Sequence, residues 1–345
     1  MLLCLSGFTG ADNYAKILMS KIVRILSIDG GGIRGILPAT FLSILEEKLR
    51  EKSGNENLRL AECFDFIAGT STGGLLTCMY LTPDDNNALL PKYTARQALE
   101  FYFGYGDSAF KPNTQGGFHK YSPEGLETGL NNFFGNLKLG QLIKPCCITA
   151  YDMLHCEPYL FFSHRGISDP RDNYYIKDVV RATSALPGIF PPATIHSLAE
   201  RERTFIDGSI FAYNPAMHAY MQAKSIFPNA ENFLLLSLGT GLPVTAYSPA
   251  QLEDTSEKNW ARLLADIAFS AHSDMVHYQL EEIFMNKPGS AYIRLQPSLQ
   301  GLDKEMDNVS HENIHALYKA GLDFVDSNEK TLAEIVNMNQ SGSDG

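Results

Sequence analysis

The stretch that most constrains the fold is a Gly-x-Ser-x-Gly motif, Gly69 to Gly73, which lies between two short apolar runs. An apolar run that ends in a tight turn and is followed at once by another predicts a strand, a turn and a helix. Gly69 and Gly73 leave room for a backbone that bulkier residues would block. Ser71 would then stand at the tip of the turn, close to a helix N-terminus. An ordinary turn with Ser or Thr as the helix N-cap fits the same residues, so the context has to decide.

A similar unit precedes the motif. Ile22–Ile28 is apolar and rich in β-branched residues, which predicts a buried strand, and the Gly-rich stretch Asp29–Gly35 follows it. A helix is expected to begin near Ile36 and to end at Ser53–Asn55. Its apolar face is expected to contain Leu37, Phe41, Leu45 and Leu49. Its polar face is expected to contain Glu46, Glu47, Lys48 and Arg50. Two such units in succession form a βαβα pattern, which predicts an α/β fold with a parallel sheet.

The rest of the chain continues this alternation except for one region. Residues 82–135 are rich in Asn, Gly, Pro and aromatic side chains, which predicts long ordered loops around one short helix from Thr94 to Phe103. The aromatic side chains there either pack beneath the loops or form a lipid-facing rim. Strands are predicted at Cys146–Tyr151, Tyr159–Phe162, Arg203–Ile206 and Phe233–Leu238, and helices at Lys177–Leu186, Pro215–Ser225, Ser256–Phe284 and beyond Ser310.

Charge and cysteine usage exclude several classes of protein. The 345-residue chain has a net charge of −11 and no basic run, which argues against nucleic-acid binding. Any membrane contact would therefore rest on apolar or aromatic side chains. The six cysteines show no metal-ligand spacing, and no apolar run approaches the roughly 18 residues of a membrane span.

We expect one domain over residues 21–338, an N-terminal extension over 1–20 and a disordered tail over 339–345. The start of the chain lacks the basic residues and the long apolar core of a signal peptide. The sequence therefore predicts a cytoplasmic protein, and it leaves open a peripheral location at membranes or export without a cleavable signal peptide.

Reactive or small residues follow four predicted strands: the Asp29–Gly35 loop, the Ser71 turn, Asp207–Ser209 and Gly239–Gly241. In an open α/β sheet the C-terminal ends of the strands share the edge where ligands bind. Acyl transfer needs a nucleophile, a base and donors for an oxyanion. Ser71 would supply the nucleophile, and the backbone N–H groups of Gly30, Gly31 and Gly32 would supply the oxyanion donors.

The base is less evident from the residues alone. None of the nine histidines stands in a context typical of catalysis. Asp207 ends a predicted strand and precedes Gly208, so it could accept a proton from serine directly. Asp-Gly is also a common turn dipeptide, and a simple turn is the alternative for this pair. Arg34 either braces its loop or contacts an anionic group of the substrate.

A rival interpretation of the Gly-rich loop is a dinucleotide site, because Gly30-x-Gly32-x-x-Gly35 after a strand has that spacing. Such a site requires an acidic residue about 20 positions later at the end of a second strand. Glu46, Glu47 and Glu51 lie in or just past the helix instead, and Asp29 would oppose a pyrophosphate. We therefore disfavour a Rossmann-like dinucleotide-dependent oxidoreductase.

Taken together, Asp29–Gly35, Gly69–Gly74 and Asp207–Ser209 resemble the motifs of patatin-like phospholipases. The likeness extends to Arg181–Ala185, Phe190–Pro192, Asn214–Pro215 and Ser237–Gly241 and covers roughly residues 22 to 325. It implies a three-layer α/β/α fold with a mostly parallel sheet and a Ser-Asp dyad. The family's third motif normally has Gly or Ala at the position of Ser209, which is a small departure in this chain.

The resemblance implies that Ser71 is the nucleophile, that Asp207 is its base and that Gly30, Gly31 and Gly32 form the oxyanion hole. The protein would be a lipid acyl hydrolase of phospholipase A or lysophospholipase type. It would act on phospholipids or related glycerolipids at a membrane or micelle surface and would need no cofactor and no metal. The oligomeric state is left open, and a non-catalytic storage or interaction protein of the same fold is the second alternative.

Overall fold

In the computed structural model, which describes residues 22–114, 116–242, 248–253 and 256–340, eight strands form one sheet. They are β1 Ile22–Ile28, β2 Phe66–Thr70, β3 Cys146–Asp152, β4 Glu157–Phe162, β5 Ala193–His196, β6 Glu202–Asp207, β7 Asn232–Leu238 and β8 Ala291–Leu295. Their order is β5-β6-β3-β2-β1-β7-β8, and β4 pairs with β3. The central pairs β3-β2, β2-β1, β1-β7 and β7-β8 are parallel, whereas β4, β5 and β6 make antiparallel pairs.

Helices connect and cover these strands. They are α1 Ile36–Ser53, α2 Thr72–Leu81, α3 Ala95–Ala109, α4 Glu124–Phe134, α5 Ser163–Ser168, α6 Ile176–Thr183, α7 Ser209–Ala212, α8 Ala216–Ile226, α9 Pro249–Glu253, α10 Glu257–Met285, α11 His311–Ser327 and α12 Glu329–Gln340. Short 3-10 helices add Gly32–Gly35, Leu60–Cys63 and Leu139–Gln141. Within the described residues, no helix is long and apolar enough to cross a membrane.

The alternation of side chains along β1 shows why the fold has three layers. Leu26 and Ile28 belong to the core cluster on one face of the sheet, which also contains the apolar side of α1. Val23 and Ile25 point to the other face and pack in a second cluster with residues of α8 and α10. Both faces of the sheet are therefore covered, as a mostly parallel sheet requires. The predicted three-layer α/β/α fold is confirmed.

Several elements differ from the sequence-based expectation. The region 82–135 contains the unexpected helix α4, and α3 extends six residues past Phe103 to Ala109. Strands β5 and β8 were not anticipated. The last helix reaches Gln340 and so includes the first two residues of the expected tail. The expected extension at 1–20 and residues 341–345 lie outside the described residues.

Glu46 was expected on the exposed face of α1, and that prediction was wrong. The side chain is 2% exposed and pairs with Arg50. Its carboxylate also accepts the backbone N–H groups of Leu60, at 2.7 Å, and Ala95, at 3.1 Å. Burial is tolerated because the carboxylate satisfies backbone donors of two neighbouring segments that would otherwise lack partners.

Candidate active site

Ser71 occupies a strained turn between β2 and α2. Its φ of 54° and ψ of −120° lie in a region that non-glycine residues rarely adopt, at a cost of roughly 1–3 kcal/mol. The turn is so tight that a Cβ on Gly69 would collide with the Gly73 carbonyl. Ser71 is the N-cap residue of α2, and its side chain makes no capping hydrogen bond. The hydroxyl is therefore presented at the positive end of the helix dipole rather than used to start the helix.

Strand β3 sets the position of Asp207 relative to Ser71. Thr70, the residue before Ser71, is the pairing partner of Thr149, and Asp207 is the partner of Ala150. Consecutive residues of one strand therefore hold the end of β2 and the end of β6. Since the rise along a strand is about 3.3 Å per residue, the two chain ends meet closely.

The strand that carries Asp207 to this edge runs in a direction that the sequence did not indicate. The expectation was that strands with C-terminal ends at a common edge are parallel, but β6 runs antiparallel to β3. Because β3 continues to Asp152, beyond its pairing with β2, the antiparallel strand pairs with that extension and ends beside Thr70. The convergence was predicted correctly, and the direction of the strand was not.

The Asp207 carboxylate is almost completely buried, with 1% of its surface exposed. Burial raises the pKa of this carboxyl to about 6, although hydrogen bonding from the Ser71 hydroxyl and from Ser209 lowers it in part. Oδ1 accepts the Ser209 backbone N–H at 2.8 Å. Oδ2 has no hydrogen-bond partner with regular geometry among the described residues.

Two threonines stabilise the Ser71 turn through buried hydrogen bonds. Thr183 at the end of α6 accepts the Ser71 backbone N–H at 2.8 Å and donates its own hydroxyl to the Thr149 carbonyl at 2.6 Å. Thr70 donates to the Ala212 carbonyl at 2.6 Å. These buried hydrogen bonds tie the Ser71 turn to β3 and to the segment that follows Asp207. They leave the Ser71 N–H engaged, so it is not a free donor.

The three glycines predicted for the oxyanion hole do not have equal roles. Gly30 donates its N–H to the Tyr213 carbonyl at 3.0 Å. Gly31 and Gly32 both line the cleft that contains Ser71, and within the described chain neither N–H has a hydrogen-bond partner. Gly32 has a φ of 57°, which favours glycine at this position. Free N–H groups on a rigid loop beside a nucleophile are typical of an oxyanion hole.

Arg34 does not lie at the cleft. It is completely buried, and its guanidinium donates to the Tyr213 hydroxyl at 3.0 Å and to the Gly31 carbonyl at 3.3 Å. Tyr213 shares a 3.0 Å hydrogen bond with Thr240, whose hydroxyl donates to the Gly30 carbonyl. The placement fits a brace for the Gly-rich loop, which is one of the two roles that the sequence left open for Arg34.

A buried ion pair anchors the start of the same loop. Arg294 on β8 contacts both oxygens of Asp29, at 2.9 and 2.5 Å, and also binds the hydroxyl groups of Ser237 and Ser273. Burial raises the pKa of Asp29 above its ordinary value, and the Arg294 guanidinium offsets only part of this rise. The bidentate contact keeps the pair ionised.

Ser71 lies in a cleft with largely apolar walls, which encloses about 740 Å³ of space including its mouth. The lining side chains that carry the apolar character are Leu75, Phe101, Tyr102, Phe110, Leu126, Leu186, Ile189, Phe190 and Met306. Several aromatic residues of the region 82–135 are thus part of the cleft wall rather than only core. None of the nine histidines lines this cleft, and the described residues contain no metal-ligating cluster.

Gly208 and Ser209 complete the turn after Asp207. A Cβ on Gly208 would lie 2.6 Å from the Thr149 carbonyl carbon, so this close approach requires glycine. Ser209 lines the cleft, and its Oγ would lie 2.6 Å from a Cβ on Gly30. The hydroxyl that distinguishes this chain from the usual motif therefore lies between Asp207 and the Gly-rich loop.

Sequence reasoning did not assign roles to Thr183, Tyr213 or Arg294. Thr183 belongs to a stretch that matched the family pattern, and this match could have indicated a function. Arg294 lies 265 residues from Asp29, in a strand that was not anticipated, so no local pattern pointed to the pair.

The chain matches the family model described as Patatin-like phospholipase over residues 26–220. It is 32% identical over 336 residues to Patatin-17 of Solanum cardiophyllum, which covers 91% of this chain and 86% of that protein. A Solanum tuberosum protein named Probable inactive patatin-3-Kuras 1 is also 32% identical, with coverage of 88% and 86%. The crystal structure of VipD from Legionella pneumophila aligns with a TM-score of 0.37 at 12% identity, over 92% of this chain and 67% of that one, which is too distant to support a conclusion.

Proposed function

This chain belongs to the patatin-like phospholipase family of lipid acyl hydrolases, and we propose that it cleaves fatty-acyl esters of phospholipids or related glycerolipids with Ser71 and Asp207. One observation carries the proposal. A serine on a strained turn lies beside a buried carboxylate, and no cationic side chain among the described residues neutralises that carboxylate. A buried aspartate of raised pKa without a cationic partner is typical of a base.

The reaction has two half-steps. Asp207 takes the proton of the Ser71 hydroxyl as Oγ forms a bond to the ester carbonyl carbon. When the tetrahedral intermediate collapses, the C–O bond to the head-group fragment breaks and that alcohol leaves with the proton from Asp207. Water then gives a proton to Asp207 and attacks the acyl-Ser71 ester. Ser71 recovers its proton, and the free fatty acid departs.

The negative charge of each tetrahedral intermediate falls on the former carbonyl oxygen. The free N–H groups of Gly31 and Gly32 line the same cleft as Ser71, and α2 begins directly after Ser71, so these groups are the candidate donors. Each such donor contributes roughly 3 kcal/mol to lowering the barrier. Arg34 holds this loop in shape through Tyr213 and Gly31, and so supports the donors without contacting the substrate.

The walls of the cleft support an acyl-chain substrate, since apolar side chains dominate them. The segment next to the mouth also suits a lipid surface. Lys120 and Tyr121 donate backbone N–H groups to the Gly188 and Ile189 carbonyls at the rim, and Phe118, two residues earlier, is fully exposed. An exposed aromatic ring in a segment that is hydrogen-bonded to the cleft wall suits contact with lipid, because an acidic protein gains little from anionic head groups.

The relative named as probably inactive means that family membership alone does not establish turnover. The test is a panel of phospholipids, lysophospholipids and galactolipids, with fatty-acid and lysolipid products resolved by mass spectrometry. We expect fatty-acid release by the wild type and none by Ser71→Ala. Release of head groups with intact diacylglycerol, or equal activity in the Ser71→Ala protein, would contradict the proposal.

A further inference from the structure

A line of hydrogen bonds between completely buried side chains connects Arg34 to the Gly-rich loop. Arg34 donates from Nη2 to the Tyr213 hydroxyl at 3.0 Å, and a second bond of 3.0 Å joins that hydroxyl to Thr240. Thr240 donates from Oγ1 to the Gly30 carbonyl. A guanidinium can only donate and a carbonyl can only accept, so every proton in this line points toward the loop. We call Arg34, Tyr213 and Thr240 the buried relay.

The relay ends on a peptide group that carries one of the two free oxyanion donors. The Gly30 carbonyl and the Gly31 N–H belong to the same peptide group, so a hydrogen bond accepted by the oxygen polarises the N–H. The second donor has the same arrangement. Arg34 Nε donates to the Gly31 carbonyl at 3.3 Å, and that carbonyl shares its peptide group with the Gly32 N–H. One cation therefore acts on both donors, directly on one and through two hydroxyl groups on the other.

The surroundings keep the two hydroxyl groups of the relay in place. The Tyr213 ring is stacked on Phe269, with the ring centroids 5.1 Å apart. Burial raises the pKa of the Tyr213 phenol, so this hydroxyl retains the proton that it donates. A Cβ on Gly31 would collide with the Thr240 hydroxyl, which therefore contacts the loop directly.

Arg34 lacks the counter-charge that a buried cation normally has. Within the described chain it makes no ion pair of the kind that joins Arg294 to Asp29, and its Nη1 has no hydrogen-bond partner. A buried charge without a partner is costly, and the low-dielectric interior screens its field only weakly. A negative charge that forms at the Gly-rich loop during the reaction would complement it.

We propose that Tyr213 and Thr240 are positioning residues that extend the polarising effect of Arg34 to the oxyanion donors. This role depends on the proposed function, because an oxyanion forms only if Ser71 attacks an ester. It goes beyond bracing the loop, since a brace alone supports bound ester and tetrahedral intermediate alike. Polarised donors favour the intermediate, which alone carries a full negative charge.

Hydrolysis of a soluble p-nitrophenyl ester by the full chain tests the relay. Thr240→Val removes the last hydroxyl and keeps the shape of the side chain, so kcat should fall about tenfold while KM changes by less than about twofold. Thr240→Ser retains a hydroxyl and should recover kcat to within about threefold of the wild type. Tyr213→Phe should lower kcat by about fivefold. Because both residues belong to one line, the double variant should be no slower than Thr240→Val alone.

Two ketones separate polarisation from bracing. With a long-chain alkyl trifluoromethyl ketone, Ser71 Oγ bonds to the carbonyl carbon and Asp207 takes the serine proton, which leaves an oxyanion in the site. The methyl ketone of the same length fills the cleft with its carbonyl intact. Thr240→Val should raise the inhibition constant about tenfold for the trifluoromethyl ketone and less than about twofold for the methyl ketone. A distorted site would weaken the binding of both.

Two buried hydroxyl groups outside the relay provide matched controls. Thr40 donates to the Ile36 carbonyl within α1, and the Tyr80 hydroxyl has no partner among the described residues. Thr40→Val and Tyr80→Phe should both retain the kcat of the wild type and its inhibition by the two ketones.

Two outcomes would overturn the relay and leave the proposed function intact. The first is hydrolysis that Ser71→Ala abolishes but that Thr240→Val and Tyr213→Phe leave unchanged. The second is an equal loss of affinity for both ketones, which would reduce the relay to a brace. If Thr240→Val does not fold, Tyr213→Phe supplies the same comparison. Wild-type hydrolysis that persists in Ser71→Ala would instead contradict the proposed function itself.

Discussion

Two buried aspartates at the same edge of the sheet have opposite environments. Asp29 follows β1 and Asp207 ends β6, each precedes a glycine, and neither is more than 1% exposed. Asp29 receives two hydrogen bonds from the Arg294 guanidinium. Asp207 has no cation, and its Oδ2 lacks a regular partner among the described residues.

The comparison shows that two buried carboxylates at one edge of a sheet can differ in chemical character, because only one of them has a cationic partner. A buried carboxylate in a bidentate pair with arginine stays ionised and holds its loop in place. A buried carboxylate without a cation keeps a raised pKa and can take up a proton near neutral pH. Asp207, the aspartate without a cation, is therefore the one that we propose as the base, and Asp29 anchors the Gly-rich loop through Arg294.

The largest expected effect is on activity. Asp207→Asn and Ser71→Ala should each lower kcat/KM for ester hydrolysis by about 10⁴ or more, because one loses the proton acceptor and the other the nucleophile. Circular dichroism should show both variants folded. As controls, each of the nine histidines is replaced in turn. A histidine variant as inactive as Ser71→Ala would rule out a dyad that lacks histidine.

The next effect is on the fold. Arg294→Leu leaves Asp29 as an uncompensated buried charge, so the free energy of unfolding should fall by about 3–5 kcal/mol. Urea unfolding at pH 8 measures this loss. Lys48→Leu, which removes one partner of an ion pair with Glu51 in which both side chains are exposed, is the matched control and should cost only a small fraction of that amount. Equal losses in the two variants would remove the distinction between a structural and a surface ion pair.

Asp207→Asn should change the free energy of unfolding in the opposite direction. Because the pKa of Asp207 is raised from 3.8 to about 6, the folded state binds this proton more tightly than the unfolded state does. The stabilising contribution of the protonated group is present below pH 4 and is lost as the pH rises through about 6. The variant should therefore be more stable than the wild type by about 1–3 kcal/mol at pH 8, and this gain should vanish near pH 4.

Asp29→Asn is the comparison for that measurement and should be destabilising at pH 8, since it removes a charge that Arg294 needs. A loss of stability in Asp207→Asn at pH 8, similar to that in Asp29→Asn, would mean that Asp207 is also a structural residue.

The smallest effect concerns Ser209, which is within hydrogen-bonding reach of Asp207 and lowers its pKa. Ser209→Ala removes the hydroxyl and retains the backbone N–H that donates to Oδ1. The midpoint of the rising limb of kcat/KM against pH should move upward by less than about one unit. A downward shift would show that the hydroxyl does not stabilise the carboxylate.

Residues with strong local signals were predicted well from the sequence. The apolar run of β1, the Gly69–Gly73 turn and the helix cap at Thr94 depend on neighbouring residues, and all appear as expected. The family resemblance is confirmed as well.

Features that depend on distant parts of the chain were not predictable. Helix α4 was missed because Gly125, Gly129 and two asparagines lower its intrinsic propensity. It forms because Leu126, Leu130 and Phe134 become buried on one side. Likewise, the antiparallel direction of β6 depends on the extra length of β3.

The most direct test of the central claim is the rate of labelling by a fluorophosphonate probe across pH 4 to 9. The account predicts a single adduct on Ser71, mapped by peptide mass spectrometry, with a rate that rises with pH around a midpoint of about 6 and is lost in Asp207→Asn. An adduct on another residue, or a labelling rate at Ser71 that is unchanged in Asp207→Asn, would contradict it.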